Sequence, residues 1–330
     1  MKRAAVILVT LALSASPALA GGSNDALSLV PPDAASVGLV RLDELRGSPL
    51  AAKIFEETDR ITCDGDAARF LEETGLRPKQ DVDVVVVAAS PRARGEGESA
   101  LVLFEGRFDS ARLSAAIVSR GAVLKTTSHG DYYLLDSDGG HGSPGAVAFA
   151  SRRLVIAGTE PAVARALERR ASGGSGFLRG EGLGKHLFRV DSGASAWVLV
   201  DAVRYPLARG ARRHSGDGDG DGDPSAALAG AMKSVSLFAL QATSHRDSLE
   251  LSATGLTDDE ETRELLADAL RGVVAMWRLS VQEKHPEMVS VLRRFKIESD
   301  NEGVTVKGML PGSFIRSLTE RSEHGRRAAH

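Results

Sequence analysis

The chain has 330 residues, of which 42% are hydrophobic, and a formal net charge of -3. This apolar content is sufficient for an ordinary hydrophobic core, and the length is typical of two domains or of one extended domain. The mildly acidic and well-mixed charge argues against a nucleic-acid partner, because such partners generally require a basic face. The single cysteine, Cys63, excludes an internal disulfide bond.

Residues 1–20 predict a secretory signal peptide. Two basic residues precede an apolar run, 4–15, that is too short to span a bilayer comfortably. An Ala-Leu-Ala sequence before Gly21 supplies the small residues of a cleavage site. The alternative is a membrane anchor, which the short run and Pro17 disfavour. We therefore expect a periplasmic or secreted protein that begins near Gly21.

After a polar lead-in, 21–35, hydrophobic periodicity predicts alternating strands and helices. The predicted strands are 36–42, 81–90, 100–108, 122–127, 131–136, 146–150, 153–158, 195–201, 234–243, 247–255, 293–299 and 303–309. Helices are predicted to begin at Ser48, Asp66 and Pro286, after the caps Asp109 and Thr159, and from Pro311. The longest helix, 258–282, follows a capping box formed by Thr257 and Glu260.

The order of these elements predicts an α+β fold with antiparallel sheets and helices packed on one face. Residues 36–120 and 247–320 both follow the order strand, helix, helix, strand, strand, helix, which indicates two related modules. The alternative is coincidence among short elements. The predicted organisation is an N-terminal α+β domain over 36–206, a flexible Gly/Asp-rich linker over 207–226 and a C-terminal α+β module over 227–320. A disordered tail over 321–330 follows.

Four passages carry a resemblance to a known group: LVPPDAASVGLV, GLRPKQDVDVVVVA, GRFDSARLSAAI and AVAFASRRLVIAGTEPAVARAL. They resemble a group of exported bacterial proteins of unknown function that are built from repeated α+β units. The resemblance covers roughly residues 30–200 and carries no catalytic motif. It implies a fold and an exported location, and it assigns no role to any residue.

Catalytic motifs are incomplete in this sequence. Ser143 and Ser175 each lack one glycine of a nucleophile elbow. Gly184-Lys185 lacks the first glycine and the Ser/Thr of a phosphate loop, and GEGESA precedes a strand where a dinucleotide fingerprint requires a helix. The histidines do not fall at metal-ligand spacing. We therefore expect no catalytic centre and no cofactor.

Alternating glycine and aspartate mark residues 214–225, which include Asp217, Asp219, Asp221 and Asp223. The spacing matches the start of an EF-hand calcium loop, but position 12 is Leu228, which cannot bind calcium. The composition is typical of an extended, solvated tether. We interpret the segment as a tether, with weak calcium binding as the alternative.

The leading functional hypothesis is a non-enzymatic, exported binding or scaffold protein of the cell envelope. One alternative is a carrier that holds an apolar ligand or lipid between sheet and helices, with Phe238, Leu240, Met276 and Trp277 as candidate lining residues. An envelope hydrolase without a recognisable motif is the third hypothesis. The partner and the oligomeric state are not specified by the sequence.

The candidate contact surface is one face of the C-terminal module. Strand 247–255 alternates between apolar and polar residues, and so does the next strand pair. Period-two alternation indicates a sheet with one covered face and one wet face. The wet face is predicted to carry Glu250, Lys296, Glu298 and Lys307. Its mixed charge suits a polar partner, and plain solvation is the alternative.

Overall fold

The structure is a computed structural model, and it describes residues 25–46, 65–91, 99–135, 144–174, 176–204, 232, 234–282 and 286–315. The chain divides into two compact units, Met1–Trp197 and Val198–His330. The predicted α+β class with antiparallel sheets is confirmed. The predicted signal peptide, the helix beginning at Ser48, the Gly/Asp-rich linker and the tail lie outside the described residues.

The first unit contains an antiparallel sheet. Its strands are β1 (Ser36–Arg41), β2 (Val82–Ser90), β3 (Ser99–Gly106), β4 (Val123–Thr127), β5 (Gly130–Leu134), β6 (Gly145–Ser151) and β7 (Leu154–Thr159). The order across the sheet is β1-β2-β3-β7-β6-β5-β4, and each neighbouring pair is antiparallel. These strands coincide with the predicted ones, because long β-branched runs and clear turn residues mark them in the sequence.

The helices of the first unit are short. They are α1 (Asp25–Ser28), α2 (Leu42–Leu45), α3 (Gly65–Thr74), α4 (Pro78–Asp81), α5 (Ser110–Val118) and α6 (Glu160–Ala171), followed by two 3₁₀ segments, Phe177–Arg179 and Gly182–Arg189. One core cluster joins Leu42 and Leu45 of α2, valines of β2 and Leu113 of α5. This cluster covers one side of the sheet. Leu103 and Ile156 point to the other side and are also fully buried, and α6 packs against β3 and β7. In this unit both sides of the central strands are therefore covered, which differs from the predicted packing of helices on one face.

Two predicted helix caps in this unit have different outcomes. The Asp109 carboxylate accepts a hydrogen bond from the Arg112 amide at 3.1 Å and caps α5, as expected. Thr159 occupies the N-cap position of α6, but its hydroxyl forms no capping bond. The residue two positions later is Pro161, which has no N–H to donate to that hydroxyl.

A buried carboxylate holds the N-terminal segment of the first unit. Glu105, on β3, is 7% exposed. Its Oε1 accepts a hydrogen bond from the amide of Ala26 at 2.7 Å. This amide belongs to the first turn of α1, where backbone N–H groups have no partner within the helix. The bond therefore ties the start of the described chain to the middle of the sheet.

Strand β4 forms the outer edge of the sheet. Its Val123 and Leu124 side chains are exposed. The Lys125 ammonium lies 2.5 Å from Oε1 of Glu160, and the Tyr132 hydroxyl donates to the same oxygen at 3.0 Å. Hydrogen bonds from Lys125 and then from Tyr132 lower the pKa of the Glu160 carboxyl, although burial opposes them. A charged lysine on an edge strand discourages further strand pairing.

The second unit has a smaller sheet, one long helix and one short helix. Its strands are β8 (Ala196–Asp201, which crosses the unit boundary), β9 (Leu237–His245), β10 (Ser248–Leu256), β11 (Lys296–Ser299) and β12 (Gly303–Pro311). The order is β8-β9-β10-β12-β11, and the pairs among the last four are antiparallel. The helices are α7 (Glu260–Gln282) and α8 (Pro286–Leu292).

The cap of α7 differs from the predicted capping box of Thr257 and Glu260. The Asp259 carboxylate accepts hydrogen bonds from the Thr262 amide at 2.8 Å and from the Thr262 hydroxyl at 2.7 Å. The Thr257 hydroxyl instead donates to the carbonyl of Asp259. The helix starts at Glu260, and an aspartate directly before the first turn is the better-placed acceptor.

The pairing of strands differs between the two stretches that were predicted to repeat. In 36–120, the first strand, β1, pairs with β2, the first strand of the following hairpin. In 247–320, the first strand, β10, pairs with β12, the second strand of its hairpin. The strand connectivity therefore differs between the two stretches, and their predicted repeat stays a prediction.

Candidate functional site

The four charged residues predicted for the contact surface share one face of the second unit's sheet. Glu250 lies opposite Met309 across β10 and β12, and Lys307 lies opposite Lys296 across β12 and β11. Residues directly opposite each other on paired strands point to the same side, and alternate residues of one strand do as well. Glu298, two residues from Lys296, therefore belongs to this face. We call these four residues the charged face.

One ion pair and one histidine–carboxylate contact on the charged face are open to solvent. The Lys307 Nζ lies 3.4 Å from Oε2 of Glu298, and the His245 Nε2 lies 3.3 Å from Oε2 of Glu250. Exposed pairs of this kind contribute about 0–1 kcal/mol to stability. Lys296 faces Lys307 and, among the described residues, forms no ion pair. Like charges directly opposite on paired strands are unfavourable. The charges are therefore weakly engaged within the chain and can meet a partner.

The polar character of this sheet side does not extend along its whole length. Thr254, which lies on the same side of β10 as Glu250, is buried, and its hydroxyl lies 2.9 Å from that of Thr305. Leu237 and Ala239, which share this side of the sheet, are also buried. Alternation in β10 alone does not reveal this, because the burial depends on what packs over the far end. The charged face is therefore limited to the end of this sheet side where the side chains are exposed to solvent.

The opposite side of the same sheet is covered by α7, as expected. Leu266 and Ala267 pack against Val235 and Val304, and the cluster is bordered by Phe238, Leu270 and Ile297. Of the residues proposed to line a carrier pocket, Phe238 borders this cluster. Leu240 and Met276 are exposed, and the Trp277 side chain lies outside what the structure describes. Two of the four side chains proposed to line the pocket therefore face solvent.

Two clefts lie in the first unit, away from these residues. One, of about 260 Å³, is lined by Ser110, Ala111, Ser114, Asp131, Tyr133 and Phe149. The other, of about 210 Å³, is lined by Thr74, Gly75, Leu76, Arg77, Asp81, Arg107, Asp109 and Leu113. Pockets for drug-sized ligands are generally ~300–1,000 Å³. Both clefts are below that range.

Two adjacent carboxyl groups on α2, Asp43 and Glu44, form a cluster that is not among the predicted site residues. Glu44 is 9% exposed, and among the described residues neither of its carboxyl oxygens has a hydrogen-bond partner. Burial, and then the charge of Asp43, raise the pKa of Glu44 to about 7, against the opposing effect of Arg41. Burial and the charge of Asp83 raise the pKa of Asp43 as well.

A neighbouring arginine holds α2 against β2. Its guanidinium, from Arg46, donates to the carbonyls of Lys79 at 2.6 Å and Val82 at 2.5 Å. It also pairs with the Asp83 carboxylate at 2.7 Å. This arginine is thus occupied by other partners, and among the described residues the Glu44 carboxyl has no ion-pair partner. Such a carboxyl can exchange a proton near neutral pH.

A weak sequence signal for this cluster exists in the string LDEL, 42–45, directly after a buried strand. Leu42 and Leu45 are both buried. Asp43 and Glu44 lie between them in a single helical turn, so their side chains can point only partly away from the core. Acidic residues in such a turn are usually interpreted as exposed. The two clefts do not include Asp43 or Glu44.

The calcium candidates Asp217, Asp219, Asp221 and Asp223 lie outside the described residues, and their interpretation as a tether stays a prediction. Within the described ranges, no group of three or more His, Cys, Asp or Glu side chains is arranged to hold a metal ion. Among the helices of those same ranges, none combines the length and apolarity needed to cross a membrane.

Comparisons with known proteins give a distant structural likeness. No family model matches the chain, and no curated protein matches it. Among solved structures, crystal form III of TP0453 matches with a TM-score of 0.49 and 11% identity, covering 90% of this chain and 99% of that chain. Crystal form IV gives 0.45 and 11%, covering 89% and 96%. Crystal form I gives 0.42 and 10%, covering 91% and 98%.

These comparisons define no family for the chain. Its class is that of an α+β protein built on antiparallel sheets. The resemblance to exported bacterial proteins of unknown function stays a prediction from the sequence.

Proposed function

We propose that this protein is a non-enzymatic binding or scaffold protein whose contact surface is the charged face of the second unit. The observation that carries the proposal is the convergence of Glu250, Lys296, Glu298 and Lys307 on one open side of a sheet. Their pairs are exposed and contribute little to stability. A sheet backbone holds such side chains at fixed spacing, which favours recognition of a polar surface of complementary charge.

We also propose that the protein is exported to the periplasm or beyond. The support is the basic start, the short apolar run and the small residues before Gly21. N-terminal sequencing of the protein recovered from the cells that make it tests this proposal. A mature start near Gly21 is expected, and recovery of the intact Met1 start in the soluble cytoplasmic fraction contradicts it.

The binding proposal is tested with a triple variant, Lys296→Ala, Glu298→Ala and Lys307→Ala. Affinity capture from an envelope extract first identifies the proteins and lipids that the wild type binds. Direct titration then compares the affinity of the triple variant for each identified partner. Surface substitutions shift stability by ~0.5 kcal/mol or less each, so the fold is expected to survive. A loss of affinity of tenfold or more is expected.

A matched control removes two cations and one anion elsewhere. The substitutions Arg152→Ala, Glu168→Ala and Arg170→Ala change exposed residues of the first unit. This control is expected to bind like the wild type. Equal affinity of the folded charged-face variant and the wild type for every partner overturns the proposal. Turnover of a captured compound by the purified protein overturns its non-enzymatic part.

A further inference from the structure

Strand β11 is the last strand of the second unit's sheet among the described residues. It pairs with β12 on one side, and the order of strands ends with it. A strand in this position presents unpaired backbone N–H and C=O groups along its outer edge. The edge is therefore a template for one more strand, and the side chains of β11 decide which strand fits.

The backbone groups on the outer edge follow from the hairpin that joins β11 to β12. The Asp300 amide donates to the carbonyl of Gly303 at 3.0 Å, so these two residues form a hydrogen-bonded pair at the end of the hairpin. Such pairs alternate along an antiparallel ladder with pairs whose backbone groups point away. The residues two and four positions before Asp300 therefore bond to β12. The N–H and C=O groups of Ile297 and Ser299 point to the open edge.

The charges along β11 are complementary to themselves in an antiparallel arrangement. Lys296 and Glu298 flank Ile297 and lie on the same side of the strand. A second copy related by a two-fold axis at Ile297 places the lysine of each copy opposite the glutamate of the other. Arg294 and Asp300, just outside the strand, fall opposite each other in the same way. Every charged position in this stretch therefore faces the opposite charge.

Other arrangements of two copies bring like charges together. A parallel copy in register places lysine against lysine and glutamate against glutamate. Moving the two-fold axis by one residue places either Lys296 or Glu298 opposite its own counterpart. Like charges directly opposite on paired strands are destabilising. Charged side chains on a short edge strand also discourage pairing with unrelated strands. The side chains of β11 thus select an antiparallel copy of the same strand.

The contacts within the chain leave these charges available. Lys296 lies opposite Lys307 and, among the described residues, forms no ion pair. The one ion pair that Glu298 forms within those residues is the 3.4 Å contact of its Oε2 with the Lys307 Nζ. Across the two-fold axis, Lys296 and Glu298 would occupy the non-hydrogen-bonded positions, where side chains are closest. The two opposed lysines of one copy thereby gain a carboxylate of the other.

We propose that two copies of this chain associate through the outer edge of β11, antiparallel about a two-fold axis at Ile297. A two-fold contact uses the same patch on both copies, so the patch must be complementary to itself, as this strand is. A four-residue edge is smaller than the ~800 Å² per partner of a standard stable interface. The association is therefore weak, with a dissociation constant of micromolar order or higher.

Sedimentation velocity over a range of protein concentrations tests the proposal with charge reversals. The wild-type dimer fraction is expected to rise with concentration. Lys296→Glu or Glu298→Lys alone places like charges on both sides of the axis, and the dissociation constant is expected to rise by about tenfold or more. An equimolar mixture of the two variants restores opposite charges and is expected to form a heterodimer. The double variant with both reversals also restores them, but only in the antiparallel arrangement, and is expected to dimerise.

Two matched controls change the same charges away from the edge. Glu250→Lys alters the same side of the sheet on a strand that is not at the edge, and Lys185→Glu alters an exposed lysine of the first unit. Both are expected to associate like the wild type. A wild type that is monomeric at every concentration overturns the proposal. A mixture of the two reversed variants that stays monomeric also overturns it, as does a single reversal that associates like the wild type.

Ser299→Pro separates this contact from partner binding by the charged face, with which it shares Lys296 and Glu298. Proline removes an outward N–H but leaves the charged face and the bonds to β12 in place. The variant is expected to be monomeric, to melt near the wild-type temperature in dilute solution and to keep its affinity for a captured partner. A Ser299→Pro variant that dimerises like the wild type contradicts the proposed strand pairing.

Hydrogen exchange of the wild type locates the contact. The amides of Ile297 and Ser299 are expected to exchange more slowly as the protein concentration rises, because they become bonded across the axis. The amides of β4, at the edge of the first unit, are expected to exchange at a constant rate. A dimer that leaves the exchange of Ile297 and Ser299 unchanged forms through another surface and overturns the proposal.

Discussion

The two units of the molecule have the same order of strands across their sheets. The matching stretches have other residue bounds than the two stretches that were predicted to repeat. The first unit has the order β1-β2-β3-β7-β6, and the second has β8-β9-β10-β12-β11. Residues 30–41 and 190–201 have the same succession of turn and strand. Each stretch contains a matching turn bond, from the amide of Ala34 and from that of Ala194. The strand order and this turn are thus common to the two units.

The connection between the third strand and the last strand pair differs between the units. The first unit uses the nine-residue helix α5 and the β4–β5 hairpin. The second uses the 23-residue helix α7 and the short helix α8. The connection thus varies more than the sheet that it links, as is usual for segments outside the paired strands. The variation leaves an exposed helix face in the second unit.

The units also differ in where their charged groups lie. The first unit buries Glu44 and Glu105, whereas the second displays Glu250 and its companions on the charged face. A buried carboxyl makes the free energy of unfolding depend on pH. An exposed one changes stability little and is available for contact. We therefore expect stability to depend on pH mainly through the first unit, and the proposed contact surface lies in the second.

Glu44→Gln is expected to have the largest effect on stability. The native pKa of Glu44 is raised to about 7 from 4.5. The unfolded chain thus releases this proton at a lower pH than the native protein, and stability falls as pH rises from about 4.5 to about 7. Glutamine removes this loss, so the variant is expected to be more stable at pH 7 by up to about 3 kcal/mol. At pH 4.5 and below, the difference is expected to vanish.

Thermal melts of the wild type and Glu44→Gln between pH 4 and pH 8 measure this effect. The exposed Glu72→Gln, on α3, is the matched control and is expected to follow the wild type at every pH. Parallel pH profiles for Glu44→Gln and the wild type contradict the assignment of pH sensitivity to Glu44.

Glu105→Ala is expected to have the next largest effect. The substitution leaves the amide of Ala26 without its acceptor in a buried position, which costs about 1–3 kcal/mol. Chemical denaturation measures the loss. Glu250→Ala removes a glutamate from the equivalent strand of the second unit, where it is exposed, and is expected to change stability by ~0.5 kcal/mol or less. Equal losses of stability in the two variants contradict the difference between a buried glutamate in the first unit and an exposed one in the second.

Lys296→Glu is expected to have the smallest effect, and its sign is informative. Lys296 and Lys307 are directly opposite across β11 and β12. Replacing one lysine by glutamate converts a like-charge pair into an opposite-charge pair, which is expected to stabilise by about 0.2–1 kcal/mol. The gain is expected to shrink at high salt, because exposed charges are screened. A destabilised variant shows that the native Lys296 has a partner within the chain.

Most of the described strands and helices follow from local patterns in the sequence. The valine run of β2, the glycine stop after α3 at Gly75 and the Asp109 cap are each determined by residues close in sequence. The charged face was predictable for the same reason, since period-two alternation decides which residues of β10, β11 and β12 share a side.

The missed features depend on contacts between residues distant in sequence. The burial of Glu44 is set by α2 packing on β2, about 40 residues further along the chain. The pairing of β10 with β12 rather than β11 is a choice among strands of similar pattern, which alternation does not discriminate. The burial of Thr254 at one end of a polar strand face likewise results from tertiary packing.

The position of β7 between β3 and β6 has a kinetic consequence. Hairpins β4–β5 and β6–β7 join strands that are close in sequence, so each can form early. The β3–β7 ladder, from Leu101 with Gly158 to Glu105 with Leu154, must enclose one helix and three strands. Closing such a loop costs entropy before any contact compensates for it, so non-local ladders form slowly. During synthesis, β3 remains an open edge until β7 has emerged, and this interval is when the first unit is most exposed to intermolecular strand pairing.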